Sequence, residues 1–73
     1  MKRWKNAAGG DIENPAIDAF IEAVIEVCRT HGFSISHEDH HGGFNICRAD
    51  EFNFDWLRNA ADGTDEPVIE PPK

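Results

Sequence analysis

The sequence predicts a small α+β domain of order α-β-β-α, in which an antiparallel two-stranded hairpin is packed by a long N-terminal helix and a short C-terminal one. Three observations carry this. Asn14-Pro15 opens a stretch of apolar residues at spacings of three and four. Two short alternating runs, Phe33–His37 and Phe44–Arg48, flank a polar segment that ends in two glycines. A shorter periodic run follows and stops at Gly63. With 73 residues there is room for one domain.

The first helix is expected over Pro15–His31. Asn14 is a good N-cap, and proline suits the first helical position because its missing N–H has no partner there anyway. Ile17, Phe20, Ile21, Val24, Val27 and Cys28 form one apolar stripe, broadened by Ala23 and Ile25. Asp18, Glu22, Glu26 and Arg29 lie opposite. Gly32 stands where a left-handed C′ residue belongs, and His31 lies at the negative end of the helix dipole.

The hairpin follows. Phe33-Ser34-Ile35-Ser36-His37 and Phe44-Asn45-Ile46-Cys47-Arg48 alternate apolar with polar, the period of a half-buried strand. Phe33, Ile35, Phe44 and Ile46 are expected to face the helix. Asp50 or Asn53 caps the second helix, with Phe54, Leu57 and Ala61 on one face and Trp56 and Ala60 alongside, read as core.

Charge divides the chain into three. The whole carries 14 acids against 7 Lys and Arg, a net charge of −7. Residues 1–11 are net basic and aperiodic, and read as a flexible arm. Residues 12–61 form the single domain. Residues 62–73 are acidic and proline-rich, and read as a disordered tail. Apolar runs reach only two or three residues, so no membrane span is expected, and no apolar stretch follows the basic start as a signal peptide requires. Cys28 and Cys47 are too few for a disulfide scaffold and read as reduced thiols. The acidity argues against direct nucleic-acid binding, which relies on Lys and Arg to release counterions. It suits a basic protein partner or a small ligand.

A core of about 50 residues on a two-stranded sheet is thin, since such hairpins are marginal alone. The broad helix stripe, with Phe52 and Trp56, exceeds what one protomer can bury. A homodimer is expected, through helix faces or through hairpin edges pairing into a four-stranded sheet.

The segment Ser36-His37-Glu38-Asp39-His40-His41-Gly42-Gly43-Phe44 concentrates the chemistry. As a ligand site, glycine backbone lets a ligand approach and amide N–H groups cradle an anion. There Ser36, His37, Glu38, Asp39 and His41 hydrogen-bond a ribose or base, Gly42 supplies backbone N–H, and Phe44 stacks. As a metal site, His37 and His41 converge across the turn with Asp39 or Glu38 third, although residues adjacent in sequence point different ways. As a plain turn, these side chains are solvated or bonded to the loop. Catalysis is not expected: no nucleophile, oxyanion hole or phosphate loop is recognisable, and no cofactor is implied. The row Asp18, Glu22 and Glu26 is a solvated helix face, or alternatively a surface for a basic partner or an imitation of phosphate spacing.

The stretch SISHEDHHGGFNI, followed by FDWLRNA, resembles a group of small bacteriophage and prophage proteins. Their pattern runs I-S-H-E-D-x-H-G-x-F and leads into a Trp-Leu helix. The match covers about residues 17–61, and its motif positions here are Ser36, His37, Glu38, Asp39, His41, Gly42 and Phe44. The resemblance implies a context more than a mechanism. Small acidic phage proteins antagonise host functions, notably defence, by binding, here in the host bacterial cytoplasm. The leading expectation is a non-enzymatic accessory protein that sequesters a nucleotide-like ligand at the hairpin. The alternatives are an acidic inhibitor of a host protein, or a nucleic-acid mimic, using Asp18, Glu22 and Glu26, and a metal-binding module.

Overall fold

The computed structural model describes residues 1–64. The part of the expected disordered tail that spans 65–73 lies outside them. The fold is α+β, in the order β1 (Lys2–Lys5), β2 (Gly10–Glu13), α1 (Pro15–His31), β3 (Phe33–His37), β4 (Phe44–Arg48), α2 (Glu51–Arg58). Each strand pair is an antiparallel hairpin in its own two-stranded sheet. No helix among the described residues is long and apolar enough to cross a membrane.

The element order corrects the reading of residues 1–11 as a flexible arm. Arg3 pairs with Ile12 and Trp4 with Asp11, and Gly9, at φ +66°, closes the turn. The alternation that marks a strand is present but chemically inverted. Arg3 and Lys5 point inward and are buried, while Lys2 and Trp4 point out. The Arg3 guanidinium donates to the carbonyls of Arg58 and Ala60 and pairs with Asp18. It thereby satisfies carbonyls at the C-terminal end of α2, which a helix leaves unpaired. Lys5 reaches the Asp62 carboxylate at 3.3 Å.

Asp62 is itself buried, although it begins the stretch read as a disordered tail. Its N–H donates to the Trp4 carbonyl at 2.7 Å, and its own carbonyl accepts from Asn6 at 3.0 Å. Its carboxylate accepts from the Thr64 hydroxyl and N–H, Asn14 Nδ2 and Lys5 Nζ. The Thr64 bonds, then those from Asn14 and Lys5, hold its pKa well below the usual carboxylate range. Asn14 therefore works twice: its Oδ1 caps α1 by accepting from Ala16 and Ile17, and its amide group holds Asp62.

The first helix has the bounds expected. Gly32 stands at φ +78°, and its N–H bonds back to the Arg29 and Cys28 carbonyls. Its buried stripe, however, is rotated. Ile21, Ile25 and Cys28 form the core with Phe54, and Ile17, Val24, Ile35 and Leu57 pack around it. Phe20 and Val27 are exposed. The second helix is capped by Asp50, which accepts from the Phe52 N–H at 2.8 Å. It stops at Arg58, five residues before the expected Gly63, because Asn59 turns its amide back onto the Asp55 carbonyl and Arg3 takes the next carbonyls.

The second hairpin has the expected strands with a different face inward. Of the four apolar residues assigned to the helix side, only Ile35 is half-buried; Phe33, Phe44 and Ile46 are exposed. Ser34 is the residue wholly buried, donating to the Arg48 carbonyl and accepting from Asn53 of α2 at 2.9 Å. A small hydroxyl lets α2 approach β3 closely, which sends the large neighbours outward. Trp56 is likewise exposed, not core.

Candidate functional site

The loop at 38–43 is built largely by its own motif. The Glu38 N–H donates to the Gly43 carbonyl at 3.1 Å, and the Glu38 carboxylate accepts from the N–H groups of His40 and His41, each at 2.7 Å. These two backbone bonds lower the Glu38 pKa by favouring its charged form. Gly42 takes φ +71°, a conformation that a side chain penalises. His41 lies 3.4 Å from the same Glu38 carboxylate. Glu38, His41 and Gly42 are thus parts of the turn.

The remaining motif residues divide between the two faces of the sheet. Ser36 lies beside Cys47, with 3.4 Å between Oγ and Sγ, on the face that carries Ser34. His37 is on the other face, where its register partner is Phe44. Asp39 fixes the His37 ring through a 2.7 Å contact at Nδ1. The seven predicted residues therefore do not form one pocket. His37, Asp39 and Phe44 come together; Ser36 is turned away.

Two residues that the motif reading missed complete this region. The Trp56 ring lies 6.2 Å from the His37 ring, tilted by 49°. Phe52 is one helical turn before Trp56, so both share a face of α2. Phe52, Trp56, His37 and Phe44 form an exposed aromatic strip across α2 and the hairpin that precedes it, joined by the His37–Trp56 ring pair. Phe52 is 79 % and Phe44 67 % exposed, so the strip is open to a partner. Acidic side chains border it: Asp39, and Asp55 next to Trp56. The signal for both missed residues was their excess over what one thin core can bury.

The alternative metal set is not drawn together in this geometry. His37 turns to Asp39 and His41 to Glu38, and among the described residues no three His, Cys, Asp or Glu side chains are placed to share an ion.

The acidic helix face is less available than its sequence suggests. Asp18 holds the amino group of Met1 at 2.8 Å and pairs with Arg3; these contacts, the amino group first, lower its pKa. Glu22 pairs with Arg58 at 3.0 Å, which raises the Arg58 pKa. The Glu26 side chain is exposed. A cleft of about 210 Å³ opens here, lined by Met1, Arg3, Asp18, Ile21, Glu22 and Arg58, away from the hairpin tip. Its charged walls are already paired with one another.

No protein-family model, curated protein or solved structure matches this chain.

Proposed function

We propose that this chain is a non-enzymatic, phage-type accessory protein that antagonises a host system by binding a host protein, and that the aromatic strip Phe52-Trp56-His37-Phe44 is its contact surface. The observation that carries the reading is the strip itself. Four exposed rings come from a helix and the hairpin that precedes it, with the His37 and Trp56 rings 6.2 Å apart and His37 in register with Phe44, in a chain with few large residues in its core. Aromatic side chains surrounded by polar residues are the usual centre of protein interfaces. The net charge of −7 and the acids beside the strip suit a partner with a basic rim. The resemblance to small phage proteins supplies the host context, including a site of action in the bacterial cytoplasm and a defence system as target.

A nucleotide-like ligand is the second reading. The His37–Asp39 pair beside Trp56 favours it, since a base stacks on indole while the pair offers hydrogen bonds. Against it, small-molecule sites are usually concave and bury most of the ligand, whereas the pair is exposed and the 210 Å³ cleft lies elsewhere.

Expression of the chain in bacteria carrying individual defence systems, followed by phage challenge, tests both. Protein binding predicts restored plaquing with the intact chain, lost on Trp56→Ala or Phe52→Ala and weakened when rim acids are removed. Ligand sequestration predicts loss on His37→Ala or Asp39→Ala and saturable quenching of tryptophan fluorescence by mononucleotides. Plaquing unchanged by all four substitutions would remove the strip from the account.

A further inference from the structure

We infer that β4 is a self-complementary edge and that two copies of this chain pair through it, antiparallel, into a four-stranded sheet β3-β4-β4-β3 with its two-fold axis at Ile46. Four observations on the second hairpin lead there. Among the described residues, the strand β4 packs against β3 and against no other element. Its outer edge has no partner among the described residues. Phe44 and Ile46 project from it into solvent, with Phe33 one strand behind. Apart from Arg48 at its end, it lacks the devices that usually blunt an edge: no lysine, no proline and no acidic residue interrupt Phe44–Arg48.

The backbone specifies the register. Antiparallel pairs alternate between those that exchange hydrogen bonds and those that do not. Ala49 donates to Gly32, and Glu38 donates to Gly43. Counting inward from both ends, Ser34–Cys47 and Ser36–Asn45 are the bonded pairs within the hairpin. The N–H groups of Phe44, Ile46 and Arg48, with the carbonyls of Phe44 and Ile46, therefore point away from β3. The Arg48 carbonyl is partly occupied by Ser34. A two-fold axis at Ile46 brings these same groups into bonding positions and makes about four ladder bonds.

The side chains agree with that register. Ile46 meets Ile46 of the partner subunit. Phe44 faces Arg48 of the partner subunit, repeating the Phe33–Arg48 pairing inside the hairpin. The strand's one charge, Arg48, thus lies across from an aromatic ring, where cation–π attraction operates, and away from its own copy. Paired strands also lift the sheet from two strands to four, beyond the size at which hairpins are marginal. Phe33, Phe44 and Ile46 expose roughly 300–400 Å² per copy, about half of a standard interface side, so association in the micromolar range is expected.

Sedimentation equilibrium of the full chain over increasing concentration tests this. The mass is expected to rise from 8.2 kDa toward twice that value. Ile46→Pro deletes an outward N–H and spares the inner ladder, so it should stay monomeric with an unchanged far-UV spectrum. Ile46→Lys keeps the backbone and sets two like charges across the axis; it should weaken association at least tenfold, and it decides the matter if the proline variant fails to fold. Asn45→Cys should give an oxidised, disulfide-linked dimer through Cys47 of the partner subunit, because that register places the two positions opposite each other. A single 8.2 kDa species at every concentration, or a dimer indifferent to both Ile46 variants, would overturn the inference. None of these readouts involves the host partner, so they stand or fall apart from the proposed function.

Discussion

The two hairpins handle their side chains in opposite ways. The first, β1–β2, turns cations inward: Arg3 onto Asp18 and the end of α2, Lys5 onto Asp62. The second, β3–β4, turns serine inward and large apolar groups outward. One is pinned to the body by directional bonds, so its position is specified residue by residue. The other is anchored along β3 and leaves β4 and the loop tip free for partners. Around the apolar core between the helices and β3, the first hairpin is fastened by buried charge while the second presents much of its apolar surface to the outside, the reverse of the usual division at these two hairpins.

The largest effect that would break this contrast is at Arg3. Arg3→Met removes the donor to the carbonyls of Arg58 and Ala60 and leaves Asp18 paired with the Met1 amino group alone, and is expected to cost about 2–4 kcal/mol. Chains of this size hold only about 4–10 kcal/mol in total, so urea denaturation should show a strongly lowered midpoint. Phe44→Ala on the second hairpin should move that midpoint little, since exposed substitutions stay within about 0.5 kcal/mol.

The acid limb of stability sharpens the contrast. Asp62 and Asp18 have folded pKa values depressed by their hydrogen bonds. Depressed carboxylates contribute fully above their unfolded pKa, near 4, and lose that contribution as pH falls through the folded value. Thermal melts should thus fall steadily below about pH 4, and Asp62→Asn should flatten that slope while lowering stability at neutral pH.

Smaller effects are expected in the second hairpin. Gly42→Ala meets no neighbouring atom, but at φ +71° it should cost about 1 kcal/mol, read by urea denaturation. Trp56→Ala is the counterpart for function. It should change stability modestly, because the ring is exposed, yet abolish partner binding in the phage-challenge assay.

The contrast also explains what the sequence disclosed. Helix α1 was legible to the residue because Asn14-Pro15 and Gly32 are local signals. The strands of the second hairpin were legible for the same reason, but not which face turns inward. Hydrophobic alternation presumes that apolar means buried, and the Ser34–Asn53 bond reverses that. The first hairpin was hidden by the same presumption, since its inward positions are Arg3 and Lys5. Their partners, Asp18, Asp62 and the end of α2, are distant in sequence. In the candidate site, the motif marked His37, Asp39 and Phe44 but also Glu38 and Gly42, which serve the turn. The Trp56 contribution depends on where α2 docks, which no local pattern encodes.

Residue-resolved amide hydrogen exchange tests this division most directly. The β1–β2 ladder amides, with Asn6 and Asp62, should exchange as slowly as the α1 core, while the Phe44, Ile46 and Arg48 amides exchange fast in dilute solution and slow as concentration rises. Rapid exchange throughout β1–β2, as in an unstructured arm, would contradict the account.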